Sequence, residues 1–304
     1  MKAEEHHSGA EFRCGYVALV GRPNVGKSTL MNQVLGQKLS IVTAKPQTTR
    51  QRIAGIKTTD QGQVIYIDTP GIHLAARSAL NRYMNRIAQA SFQDVDLILF
   101  LVEAGRWTKQ DEHVAQTLAD VDVPVLLVVN KIDLVPDKAK LLRFVGEEVG
   151  ADRFRDVLMV AARNGDGVAD LERTVLQSLP FSRPFYDEDQ FTDRSERFLA
   201  GELIREQLMQ RLHQELPYAL TVEIEEFKRN DDMLRIGAII WVERDGQKQI
   251  VIGKGGKVLK QVGTGARHEL QELFGEKVFI RLWVKVSRDW SDSERALRQF
   301  GYDD

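Results

Sequence analysis

The stretch that most constrains this chain is Gly21-Arg-Pro-Asn-Val-Gly26-Lys27-Ser28. It follows the apolar run Tyr16–Val20 and precedes the helix-compatible residues Ser28–Leu35. A strand that turns through GxxxxGKS into a helix is the sequence form of a phosphate-binding loop. Glycine lets backbone wrap a phosphate chain without side-chain clashes. The loop amides then point inward, and the helix start adds a favourable dipole. Lys27 is expected to reach the β- and γ-phosphates, and the Ser28 hydroxyl to ligate Mg²⁺. Gly21, Asn24, Val25, Gly26 and Thr29 complete the expected phosphate wall.

Apolar runs like the first recur at Val64–Ile67, Leu97–Val102, Val125–Val129 and Val157–Val160. Helix-compatible stretches separate them at Ala79–Gln93, Lys109–Ala119 and Lys138–Val149. Alternation of this kind predicts an α/β domain whose mostly parallel sheet is covered on both faces. Ligands of such folds sit beyond the carboxyl ends of the strands, and three further motifs fall there. Asp68-Thr-Pro-Gly71 closes the second run; Asp68 can hold Mg²⁺ through water, and the Gly71 amide can approach a γ-phosphate. Asn130-Lys-Ile-Asp133 closes the fourth. A carboxylate at Asp133 accepts from N1–H and N2–H₂ of guanine and repels the bare N1 of adenine, so the pattern selects GTP over ATP. Lys131 can lay its stem along the base, and Asn130 can tie loops together. A backbone amide in Val160-Ala161-Ala162-Arg163 can donate to guanine O6.

The second half reads differently. Leu179–Gln190 carries two prolines and an acidic cluster, as a linker does. A helical repeat follows, with Phe198, Leu199, Leu203, Leu208 and Leu212 near one face. Leu220–Phe227 alternates as a half-buried strand, Leu234–Val242 forms a second, and Val278–Val286 a third. These are expected to pair antiparallel in an α+β domain. The short run Gln249–Ile252 leads, as a strand, into Gly253-Lys254-Gly255-Gly256 and a helix. Ser291-x-x-Glu294 fits a capping box for a last helix. A GxxG loop can bring its backbone against a nucleic-acid phosphate chain. Lys254, Lys257, Lys260 and Arg267 add charge, and Ile252, Val258 and Val262 form either a groove floor or plain core.

The net charge is −2, which argues against a uniformly basic coat. Yet Arg244–Arg288 holds ten Lys/Arg against four Asp/Glu, and Asp187–Glu226 four against eleven. The near-neutral total conceals a basic and an acidic region. The single cysteine, Cys14, permits no intrachain disulfide and fits a reducing compartment. No apolar run approaches the roughly 18 residues of a membrane span, so a soluble cytoplasmic protein is expected. The expected layout is a mobile extension over 1–13, a GTP-binding domain over 14–180, a linker over 181–192 and an RNA-binding domain over 193–304.

On these residues the first half resembles the translation-factor-like GTPases. The segment Ala44-Lys-Pro-Gln-Thr48-Thr49-Arg50 looks like their first switch loop, and the resemblance implies that Thr49 closes on Mg²⁺ and the γ-phosphate. Lys27, Thr49 and Gly71 are then the catalytic set. Where many regulatory members carry a water-orienting glutamine, this chain has Ile72, which implies slow intrinsic hydrolysis. The second half resembles a type II KH domain. The combination is similar to the Era-like GTPase family, including Thr192-Asp-Arg-Ser195, Glu215-Leu-Pro-Tyr218 and Trp283-Val-Lys-Val286. That resemblance implies a GTPase switch with Mg²⁺ and GTP/GDP. It also implies a grip on 16S rRNA near its 3′ end, a role in small ribosomal subunit assembly, peripheral membrane association and a monomeric state. Two rival readings are an RNA-binding scaffold with a structural nucleotide site and a GTPase whose second domain contacts protein.

Overall fold

The computed structural model describes residues 12–72, 78–92, 94–212, 216–230 and 232–302. His6 and His7, with the rest of residues 1–11, lie outside them. Two compact units emerge: Met1–Leu39, Thr49–Leu74 and Arg86–Asp193 form the first, and Ser40–Thr48, Ala75–Asn85 and Arg194–Asp304 the second.

In the first unit the apolar runs become β1 (Arg13–Val20), β3 (Gly62–Asp68), β4 (Leu97–Glu103), β5 (Val125–Asn130) and β6 (Asp156–Val160). They are parallel neighbours in the order β3-β1-β4-β5-β6, and β2 (Ile53–Thr59) adds an antiparallel edge beside β3. The central runs are apolar on both sides because both faces are covered. On one face Ala18, Phe100, Val102 and Val129 pack against Ala88 of α2 (Ala79–Ala90), Val114 and Leu118 of α3 (Lys109–Ala119) and Leu141 of α4 (Lys138–Arg143). The other carries α1 (Lys27–Leu35) and α5 (Val168–Ser178). Because β1 lies between β3 and β4, its carboxyl end is the point where the strand order reverses, and the Gly21–Ser28 loop leaves from there.

Sequence reasoning passed over β2 and α5. The stretch 181–192, expected as a linker, runs along the β2 side of the first unit. Thr192 bridges Gly55, the Ile56 amide donates to the Phe191 carbonyl at 2.9 Å, and Gln63 Oε1 accepts from the amides of Phe185 and Tyr186.

The second unit opens with α6 (Glu196–Arg211), capped by Ser195, whose hydroxyl accepts from the Phe198 amide. Its sheet is β7 (Leu220–Asn230), β8 (Met233–Val242) and β9 (Val278–Val286), in that order. Leu203, Ile204 and Leu208 of α6 share a core with Leu234, Ile236 and Ile240 of β8 and with Val262, Ala266 and Leu270 of α8 (Lys257–Phe274).

Three expectations need correction. First, β7 and β8 are antiparallel but β8 and β9 are parallel. The connection between them holds two helices, which is the length a parallel return requires. Second, the run before the glycines is no strand: Gln249–Ile252 ends α7 (Asp245–Ile252). A four-residue apolar run cannot by itself distinguish strand from helix. The helix is begun by Gln247, whose side-chain oxygen accepts from the amides of Glu243 and Arg244. Third, the last helix, α9 (Glu294–Gln299), is capped by Ser293, which accepts from the Ala296 amide. Ser291 instead donates to Glu243.

Candidate nucleotide site and basic groove

Gly26 stands at the N-cap of α1 with φ of 104°, and a Cβ there would meet Asn130 Nδ2 at 2.2 Å. No side chain caps this helix start, so its first amides face outward as donors for an anion. Lys27 is buried and donates to the carbonyls of Gly21 (2.9 Å) and Arg22 (3.1 Å). Burial pushes its ammonium down to about 8, against the opposing pull of the Asp68 carboxylate. A phosphate brought to this amine would supply the anion that favours its charged form.

Asp68 is fully buried at the end of β3, and its Oδ2 accepts from Ser28 Oγ (2.7 Å) and Thr49 Oγ1 (3.2 Å). Ser28 Oγ and Thr49 Oγ1 are themselves 3.0 Å apart. Three convergent oxygens, one anionic, fit a hard divalent cation such as Mg²⁺. Thr48, the neighbouring candidate, is turned away to Thr43 Oγ1 and the Lys45 carbonyl. Gly71 lies so close to the loop that a Cβ would meet Pro23 at 2.8 Å. Ile72 is buried in the first unit's core.

At the other end Asn130 does the tying expected of it. Its Nδ2 donates to the Val25 carbonyl (2.7 Å), and its Oδ1 accepts from the amides of Lys131 (2.8 Å) and Ala162 (3.0 Å). The Ala162 amide is thus engaged, so a base O6 would have to share or replace that bond. Ala161 is buried in the same tight loop, its amide donating to the Asp166 carbonyl at 2.9 Å. Lys131 adopts a left-handed backbone (φ 65°), and Asp133 follows on an exposed single turn, Ile132–Leu134.

Sequence reasoning missed one network. Arg22 donates to Glu103 Oε2 (2.7 Å) and Asp111 Oδ2 (3.0 Å), while Lys131 Nζ lies 3.5 Å from Glu103 Oε1. Burial would raise the Glu103 carboxyl, but the Arg22 hydrogen bond and the Lys131 charge hold it below its ordinary value. Thr108-x-x-Asp111 is a capping box and was the one available signal for Asp111.

The expected switch segment divides between the two units. Thr49 belongs to the first, whereas Ser40–Thr48 belongs to the second. There Ile41 enters the core, the Val42 amide donates to Glu206 (2.9 Å), Lys45 donates to the carbonyls of Met209 and Leu212, and buried Arg205 donates to the Thr48 carbonyl.

In the second unit Gly253, Gly255 and Gly256 all have positive φ. At Gly253 a Cβ would strike Val258 Cγ2 at 2.5 Å. Lys254, Lys257, Lys260 and Arg267 are exposed. Beside them runs a groove of about 450 Å³ between α8 and β9, lined by Gly256, Leu259, Lys260, Gly263, Arg267 and the β9 residues Phe279–Leu282. Of the expected floor, Val262 is core, and Ile252 and Val258 are partly buried against that core. Leu259, Ile280 and Leu282 supply the groove's apolar lining instead.

Residues 16–131 match the family described as 50S ribosome-binding GTPase, and residues 215–291 match the KH domain. The GTPase Era of Stenotrophomonas maltophilia is 53% identical over 95% of this chain and 97% of its own. That of Pseudomonas aeruginosa is 51% identical over 97% of each. Among solved structures, Era in complex with MgGDPNP and nucleotides 1506–1542 of 16S ribosomal RNA superposes with a TM-score of 0.92 at 38% identity, covering 96% of this chain and 99% of that one. A single-residue variant of Aquifex aeolicus Era bound to GDP and AlF₄⁻ gives 0.92 at 38% identity over 95% and 99%.

Proposed function

Because this chain belongs to the Era family of GTPases and hydrolyses GTP, we propose that its nucleotide cycle controls how its KH domain grips 16S rRNA. The RNA is the segment near the 3′ end, and the setting is assembly of the small ribosomal subunit. One observation carries this reading: an Era bound to MgGDPNP and to nucleotides 1506–1542 matches both domains together over 96% of the chain. The family description that names the 50S ribosome covers residues 16–131 alone.

In this reading Gly21, Asn24, Val25, Gly26, Lys27, Ser28 and Thr29 enclose the phosphates. Asn130, Lys131, Asp133, Ala161 and Ala162 recognise guanine. Ser28, Thr49 and Asp68 hold Mg²⁺, which when bound spreads the phosphate charge. Lys27 stabilises charge on the γ-phosphoryl oxygens, and the Gly71 amide reports their presence. Support comes from the short Ser28–Asp68–Thr49 contacts and from an amine that burial has left short of an anion. Loss of the γ-phosphate releases Thr49 and the loop after Asp68. The protein works as a cytoplasmic monomer, and its membrane association is peripheral; among the described residues no helix is long and apolar enough to cross a bilayer.

In the second domain Ile252, Gly253, Lys254, Gly255, Gly256, Lys257, Lys260 and Arg267 hold the RNA backbone along the groove, which suits about four unpaired nucleotides. Gly255→Asp tests the assignment. The site is open, with nothing within 4 Å of a Cβ, and aspartate tolerates its left-handed backbone better than most residues. The added carboxylate should abolish binding of a 16S 3′-end oligonucleotide while GTP affinity stays within twofold. Unaltered RNA binding would refute the groove assignment, and equal loss of both ligands would refute separate sites.

A further inference from the structure

Two carboxylates meet one arginine beside the phosphate loop, and one of them is left over. Buried Arg22 donates to Glu103 Oε2 at 2.7 Å and to Asp111 Oδ2 at 3.0 Å. Asp111 is fully buried at the start of α3, where the same oxygen accepts from the amide (2.9 Å) and the hydroxyl (2.7 Å) of Thr108. Asp111 therefore neutralises Arg22 and caps its helix. Glu103 is the surplus negative charge, and its second oxygen, Oε1, faces the Lys131 ammonium at 3.5 Å.

The fold brings Glu103 to that place. It is the last residue of β4 and is registered against Asn130, the last residue of β5. The Ala104 amide donates to the Asn130 carbonyl at 2.8 Å, which locks the two strand ends side by side. Lys131 follows at once with a left-handed backbone, and its amide donates to Asn130 Oδ1 at 2.8 Å. Both ends of the lysine are thus held, the backbone by Asn130 and the ammonium by Glu103. Its side chain keeps 30% of its surface exposed, so the stem stays open to a ligand. A free lysine samples many rotamers, and ordering it opposes binding. Pinning it in the free protein takes that cost out of the binding step.

We infer that Glu103 is a positioning residue for guanine nucleotides: by holding the Lys131 ammonium, it sets out the stem on which the base rests before the base arrives. Arg22 fixes the carboxylate in turn, and the Arg22 carbonyl accepts from Lys27 at 3.1 Å. One carboxylate therefore joins the phosphate loop to the base motif. The inference rests on the reading of Asn130–Asp133 as the base site and adds to it a residue from a different strand. A Glu103 that served only to hold Arg22 would act through the phosphate loop on the chemical step. A Glu103 that acts through Lys131 sets nucleotide affinity, and its effect vanishes once the ammonium is gone.

Steady-state GTP hydrolysis and titration with fluorescent GDP, both on the full chain, separate the two roles. Glu103→Gln keeps the size of the side chain and an acceptor for Arg22 but removes the anion. It is expected to raise KM for GTP and Kd for GDP about tenfold, ordinary coupling within one hydrogen-bonded network, with kcat changed by less than about twofold. Glu103→Asp keeps a carboxylate for buried Arg22 and so guards against a failure to fold. Drawn back by one methylene from Lys131, it should raise both constants about threefold. Lys131→Met removes the ammonium, keeps a hydrocarbon stem and should cost about as much as Glu103→Gln. In that background either Glu103 variant should add less than about twofold. The inference is overturned if neither Glu103 variant, or not Lys131→Met, moves KM and Kd. It is also overturned if the Glu103 loss falls on kcat or persists in full in the Lys131→Met background. Asp133→Asn tests the underlying reading, because an amide cannot accept from both N1–H and N2–H₂ of guanine. Unaltered GTP affinity in that variant would fault the base site itself, whatever Glu103 does.

Discussion

Lys27 ties the nucleotide site to pH. Burial pushes its amine down to about 8, and in the proposed site a bound polyphosphate would restore its charge. Nucleotide binding therefore takes up a proton above that pH. GTP affinity should be nearly level below pH 7 and fall roughly tenfold by pH 9, one unit past the free value. A fluorescent-nucleotide titration at both pH values checks this, and a level profile would remove the amine from the phosphate site. The folding term has the opposite sign. The folded state releases the proton before the unfolded state does, so this group's contribution to stability rises from about pH 8 towards the ordinary lysine value of 10.5. At this scale, what could be read in advance was what backbone contiguity encodes. Gly26, Lys27 and Ser28 act as neighbours on one loop. Arg22 and Glu103 lie 81 residues apart, and no local pattern announces their pairing.

Among the elements, the long apolar strands were legible because a strand buried on both faces has little freedom in its composition. β2 was not, since Lys57, Thr58 and Thr59 give an edge strand a mixed character. α7 was misread because four apolar residues fit either periodicity. α6 carries a consequence that periodicity alone could not show. Its Arg205 is almost wholly buried, donates to Glu202 and holds the Thr48 carbonyl. Arg205→Met removes those donors and leaves partly buried acceptors unpaired, a cost of about 1–3 kcal/mol. Amide exchange over Ser40–Thr48 should accelerate ten- to a hundredfold, while β3 amides keep their wild-type rates. Unchanged exchange in that segment would mean that Arg205 does not hold it.

At the level of the whole molecule, Thr49, placed beside Ser28 and Asp68, is joined by one peptide bond to a segment that belongs to the second unit. A nucleotide that favours one position of Thr49 therefore biases that segment, and linkage makes the effect mutual. The GTP-analogue and GDP forms should differ in affinity for the 16S 3′ segment by at least about fivefold, the lower bound of ordinary coupling. RNA should shift the GTP-to-GDP affinity ratio by the same factor. Equal RNA affinities in the two forms would sever the connection. The division of the chain into two domains was readable from composition and motif order, but this interleaving was not, because Ser40–Thr48 carries no compositional mark of the unit it joins.

The same interleaving decides how the molecule can be cut. A fragment ending at Asp193 keeps Gly21–Ser28, Asp68–Gly71 and Asn130–Asp133, yet it carries Ile41 without the core that buries it. Its Ser40–Thr48 segment would lose both the core around Ile41 and the Glu206 and Arg205 hydrogen bonds that hold it. In this chain the first unit cannot be excised at a single boundary, because the segment that leads into Thr49 is packed by residues more than 150 positions further along the chain.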